Sequence, residues 1–123
     1  MATPNVSCVT ISAAAPLRDG TGSSLGWTAG ASGGYIETIC IKATGRTDPG
    51  MVRMFYNNGA TYFLRLEQPV SHIIPDRITQ TWEASLSFVT DNSIGMPVDN
   101  THTLYFSTDL AQEFDITVHG YDN

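Results

Sequence analysis

The sequence predicts an all-β chain: an antiparallel β-sandwich, jelly-roll-like, with about eight strands in one domain spanning residues 1–123. Three observations predict it. Short runs of alternating apolar and polar residues recur along the whole chain, separated by Gly, Asn, Asp and Pro. No window carries clean i, i+3, i+4, i+7 apolar spacing, and only DLAQEF (109–114) could make a single helical turn. Without strand–helix alternation there is no parallel βαβ unit, so stacked antiparallel sheets remain.

The elements follow in order. Asn5 to Ala14 is the first strand, with Val9 and Ile11 on one face. DGTGSS (19–24) is a loop, and LGWTAG gives a short strand around Trp27. In GGYIETICIKATG, Ile39, Ile41 and Ala43 alternate while Ile36 is out of step by one residue. A β-bulge near Glu37-Thr38 restores it to their face.

MVRMFYNNGATYFLRLEQPV (51–70) is a hairpin folded about Asn58-Gly59, a favoured type I′ pair. Val52, Met54 and Tyr56 share one face, opposite Met51, Arg53 and Phe55; Tyr62, Leu64 and Leu66 then alternate with Phe63, Arg65 and Glu67. Apolar residues stand on both faces, and Arg53 and Arg65 each sit among apolar neighbours. The second face therefore needs a cover, either a neighbouring subunit or a loop of the same chain.

ITQTWEASLSF points Trp82, Ala84, Leu86 and Phe88 one way and Glu83, Ser85 and Ser87 the other. NSIGMPVDN is a loop whose Pro97 cannot donate to a central ladder. The last two strands place Leu104 and Phe106, then Phe114, Ile116 and Val118, inward.

Composition narrows the function classes. Charged residues make up 15% of the chain, low against the usual ~25%, and the net charge is −6. Arg77 is the last basic residue; beyond it stand only Glu83, Asp91, Asp99, Asp109, Glu113, Asp115 and Asp122. Such a surface repels phosphate and offers no basic stripe, which argues against nucleic acid as a partner. MATPNVSCVTISAAAP has neither a charged n-region nor an apolar h-region, and no stretch approaches a membrane span. The expectation is synthesis in a cytoplasm, with no membrane partner. Asn5-Val6-Ser7 matches the glycosylation triplet and, without a secretion signal, reads as chance. Cys8 and Cys40 make no metal-binding spacing and are expected as two buried free thiols.

Catalytic signals are sparse. His72, His102 and His119 lie in separate segments, and the pair of closely spaced histidines typical of cupin-like metal sites is missing. The nearest acid cluster, Asp109, Glu113 and Asp115, reads as a solvated turn rather than a glycosidase pair. No nucleophile motif surrounds any serine, and the glycines of DGTG and SGG precede no helix that would cradle phosphate. The expectation is therefore no enzyme activity, no cofactor and no metal. Trp27, Tyr35, Tyr56, Tyr62 and Tyr105 would offer a glycan platform if several were exposed together.

The ordered pattern ATPNVSCVTISAA…RDGTG, GGYIETICIKATGRTDPGMVRMFYNNG, WEASLSF and LYFSTDLAQEFDITVHGYDN resembles small all-β structural proteins of tailed bacteriophages. It spans nearly the whole chain and rests on strand and turn residues. The resemblance implies a virion component, and the expectation is a capsid decoration or cement protein. Such a protein binds the major capsid protein on the outer head surface and forms a homo-oligomer, most simply a trimer. Contact is expected at Met51, Arg53, Phe55, Phe63 and Arg65, with Ala2, Thr3, Pro4, Asn5 and Val6 as an arm. The alternatives are a tail, baseplate or fibre module presenting Trp27, Tyr35 and Tyr62 to a glycan receptor, and a small cupin-like or glycan-acting enzyme.

Overall fold

The computed structural model describes residues 2–90 and 93–123; Asp91, one of the late acids, and Asn92, which opens the NSIGMPVDN loop, lie outside the described residues. Among the described residues nine strands fold into two antiparallel sheets: β1 (Thr3–Ile11), β2 (Ser24–Thr28), β3 (Gly34–Ala43), β4 (Gly50–Asn57), β5 (Tyr62–Val70), β6 (Glu83–Ser87), β7 (Met96–Val98), β8 (Thr103–Thr108) and β9 (Phe114–Asp122). One sheet runs β1-β9-β3-β6, with β7 also on β3, and the other runs β2-β8-β4-β5. No helix occurs among the described residues.

β6 pairs with Thr38–Lys42 of β3, and β7 takes over at Gly34–Ile36. They are two pieces of one strand along one edge. Counted so, there are eight strands, and their order is that of a jelly roll. NSIGMPVDN is thus not all loop. Met96–Val98 is a three-residue strand, and Pro97 is accommodated because β7 lies at a sheet edge.

The core sits between the sheets. Trp27, Ile36, Ile39, Ile41, Met54, Leu104, Phe106, Phe114, Ile116 and Val118 are fully buried there. Period-2 alternation puts them inside. Ile36 joins Ile39 and Ile41 through a register shift between Ile36 and Thr38 in the β3–β9 ladder, at the predicted bulge. Trp82 packs edge-on against Phe114, with ring centroids 5.7 Å apart.

The hairpin differs from expectation at two points. Asn57 pairs with Tyr62, leaving a four-residue loop, and Asn58 does not have positive φ. A type I′ turn needs positive φ at both central residues, so it is not formed. Side-chain bonds build the loop instead: Asn57 Oδ1 accepts the Gly59 N–H at 2.6 Å, and Asn58 Oδ1 accepts those of Ala60 and Thr61. Within the loop Gly59 takes positive φ, +99°. The second point is a register shift opposite Met54/Phe55, which pairs Leu64 with Phe55 and Leu66 with Met54. Leu64 and Leu66 therefore face opposite ways, and the simple alternation through β5 breaks.

Candidate interaction surfaces

The sandwich has two outer faces, and they differ. Over the β2-β8-β4-β5 sheet runs the β1–β2 connection, residues 12–23. Ala14 bridges to Thr108, the Ala15 N–H donates to the Thr108 carbonyl at 2.8 Å, and Gly20 sits against the Tyr62 ring. Tyr62 in turn meets Phe55 and Tyr105 edge-on. The second face of the hairpin is tucked under the chain's own loop.

Ion pairs fasten that cover. Arg53 Nε donates to Glu67 Oε2 at 2.9 Å and Arg53 Nη1 to Asp109 Oδ1 at 2.8 Å. From the loop, Arg18 Nε reaches the same Glu67 oxygen at 2.7 Å. Burial works against the Arg53 charge, but the hydrogen bonds of Asp109 and Glu67 outweigh it and raise its pKa. The Arg53 bond, then the Arg18 bond, hold Glu67 below its ordinary value.

These facts redistribute the expected contact residues. Arg53 is 3% exposed and Phe55 fully buried, so neither offers surface to a partner. Met51 is half-buried. Phe63 stays 50% exposed at the free edge of the hairpin, and the exposed Arg65 lies over the Tyr56 ring, 5.7 Å from its centroid. Thr3, Pro4, Asn5 and Val6 form no arm: they belong to β1 and pair with β9 from Thr3↔Asp122 onward. Of the five expected arm residues only Ala2 precedes the strand, and Asn5 is tied to Thr28 and Asp122. The proline placed so early did not stop the strand because β1 is an edge.

The outer face of the β1-β9-β3-β6 sheet is bare among the described residues except at one edge, where Ser93–Gly95 border Tyr35. Strand register sets its side chains in rows. Pro4, Tyr121, Tyr35 and Pro97 make one row, with Tyr35 and Tyr121 stacked at 5.3 Å. Val6, His119, Thr38 and Ser87 make the next, and Cys8, Thr117, Cys40 and Ser85 a third. The last, Thr10, Asp115, Lys42 and Glu83, carries the charge. The surface grades from aromatic and proline through hydroxyl and thiol to acid. Both thiols are free as expected, but neither is buried: Cys8 is exposed and Cys40 half-exposed, because their strand positions point outward.

The proposed glycan platform does not assemble. Trp27 is in the core, its Nε1–H donating to the Asn5 carbonyl at 2.9 Å. Tyr62 lies under the β1–β2 loop and Tyr35 on the opposite sheet. Nor do the three histidines, or Asp109, Glu113 and Asp115, converge in one cleft. His72 bonds Asp48 at 3.1 Å, His102 bonds Thr101, and His119 stands on the bare face. Asp109 serves Arg53, Glu113 accepts from Thr44 and Asp115 from Thr10. Among the described residues no three His, Cys, Asp or Glu side chains gather as a metal site would need.

Sequence reasoning missed a groove at one end of the sandwich. It measures about 480 Å³ and is lined by Ser32–Gly34, Tyr56, Pro97–Asn100, His102 and Asn123. Its residues come from four separate stretches, which only the strand order brings together. The one legible sign was the density of Asx and hydroxyl residues in VDNTH and GYDN.

No protein-family model matches this chain, and no curated protein is significantly similar to it.

Proposed function

We propose that the chain is a structural component of a bacteriophage virion, of the capsid decoration type. It binds the outer head surface and stabilises it by burying area between capsomers. The observation that carries this reading is the sidedness of the sandwich. One outer face is sealed by its own loop and ion pairs, while the other is a bare four-stranded wall with an aromatic–proline row. A molecule lying on a lattice needs one surface for its support and another for solvent.

Magnitudes fit a repeated contact. Four strands at ~4.8 Å spacing and some nine residues at ~3.4 Å give a wall of roughly 600 Å². That is below the ~800 Å² per partner of a standard stable interface. One copy would hold weakly, and self-association, most simply as a trimer, would multiply the hold through effective concentration. The contact set is Pro4, Val6, Tyr35, Pro97 and Tyr121 on the wall, with Phe63 and Arg65 at the hairpin edge.

Sedimentation of purified protein with phage heads tests the reading. Tyr121→Ser and Tyr35→Ser each weaken co-sedimentation at least tenfold while the melting curve stays cooperative. Unchanged co-sedimentation of both variants removes the bare wall from the contact. Loss only in Phe63→Ser moves the contact to the hairpin edge.

A further inference from the structure

The groove at the end of the sandwich combines polar groups that are already anchored. The Asn100 side-chain NH₂ donates to the Ala31 carbonyl at 3.0 Å, and that of Asn123 donates to the Ser32 carbonyl at 3.3 Å. Each amide therefore has its Oδ1 left to offer. Asp99 Oδ1 accepts the Thr101 N–H at 3.1 Å and its hydroxyl at 3.3 Å, leaving the second carboxylate oxygen. The His102 N–H is bound to the Asp99 carbonyl at 3.0 Å, and the ring stands 6.0 Å from that of Tyr56. The Tyr56 hydroxyl leans on the Pro97 carbonyl at 3.4 Å.

The backbone is fixed as well. Gly33 takes φ +77°, and its carbonyl accepts the Asn123 N–H at 3.0 Å. A Cβ on Gly34 would run into the Tyr121 carbonyl. Chain approaches this closely only where no side chain intervenes.

Chemistry then selects the ligand. Two amide oxygens and one carboxylate call for a partner rich in hydroxyl or amide donors, while His102 Nε2 can meet one of its acceptors. Tyr56 and Pro97 supply an apolar floor. The Asp99 charge disfavours anions, and the Arg65 guanidinium over the Tyr56 ring, outside the lining, partly offsets that charge toward cations. At about 480 Å³ the groove lies within the ~300–1,000 Å³ range of small-ligand sites. We propose that it binds a neutral saccharide, a hexose or N-acetylhexosamine unit, with its ring against Tyr56 and its hydroxyls on Asp99, Asn100 and Asn123. The inference does not rest on a virion role; the groove adjoins the wall's aromatic–proline row and shares Pro97 with it, while Asp99, Asn100, His102 and Asn123 stand outside that row.

Amide NMR of the full chain tests it. Glucose, galactose and N-acetylglucosamine are titrated separately, with inorganic phosphate and tetramethylammonium as charge controls. At least one neutral sugar gives saturable shifts at Gly33, Gly34, Asn100 and His102, with a dissociation constant on the order of 1 mM. Asn100→Ala and Asn123→Ala each weaken it fivefold or more, and the dispersion of their own spectra reports that they are folded. Thr10→Val, at the far end of the opposite rows, leaves it unchanged. Absence of saturable shifts with all three sugars overturns the proposal. So does a response to tetramethylammonium or phosphate alone, which would make the groove an ion site.

Discussion

Arg53 donates to Glu67 across the β4–β5 pair at 2.9 Å from a side chain only 4% exposed, while Glu67 keeps 29% of its own exposure. The arginine that alternation offers to a partner is in fact consumed inside the chain. It joins three elements, since Asp109 beyond β8 and Arg18 of the β1–β2 loop complete the same chain of ion pairs.

Arg53→Ala should therefore cost stability rather than binding. Breaking a buried pair by removing one partner costs ~3–5 kcal/mol. The lower end is expected here, because Glu67 and Asp109 are partly solvated. Urea denaturation measures it, and a loss under about 1 kcal/mol would mean the network contributes no more than surface pairs do.

Acid should loosen the same cover. Glu67 is held below its ordinary pKa by Arg53 and then Arg18, so its contribution is fully present above the ordinary glutamate value of ~4.3. It is lost as pH falls through the lower folded value. Asp48, bonded by Arg46 and His72, and Asp76, bonded by the N–H groups of Ile78 and Thr79, are lowered too and act in the same direction. Midpoints measured from pH 7 down to pH 3 should drop below about pH 4, and less steeply in Glu67→Gln. The Ala15 amide, bonded to Thr108 at 2.8 Å, should lose exchange protection before the core does.

Cys8 and Cys40 both lie opposite Thr117, on either side of β9. Two strand spacings place their Cα atoms about 9–10 Å apart, beyond the ~7 Å limit for a disulfide. Thiol titration of the native chain should find two free groups, with Cys8 reacting first. Oxidation should yield bonds between chains, and an intrachain disulfide in the native protein would contradict the register.

Gly120 tests the packing around Trp27. A Cβ there would lie 2.8 Å from Trp27 Cζ2 and 2.9 Å from the Tyr35 carbonyl, and the Trp27 ring is pinned by its bond to Asn5. Gly120→Ala should cost ~1–3 kcal/mol by overpacking. Gly45→Ala, with no atom within 4 Å of the new methyl, should be near neutral in the same melts.

Alternation alone placed the core: Ile39, Ile41, Leu104, Phe106, Phe114, Ile116 and Val118 are inward as period 2 requires. The bulge in β3 was legible because Ile36 broke step by one residue. The bulge in β5 was not, since Leu64 and Leu66 satisfy alternation on paper and only pairing with β4 separates them. Which hairpin face a loop would cover depends on where residues 12–23 cross the sheet, a long-range outcome that local pattern does not carry. The groove was hidden for the same reason, its sides being brought together by strand order alone.

The copy number of this chain in purified virions, by quantitative mass spectrometry against the major capsid protein, tests the decoration reading most directly. That reading predicts a number comparable to the capsid protein's. A small fraction of it would move the chain to the tail or a fibre, and absence from particles would contradict a virion role altogether.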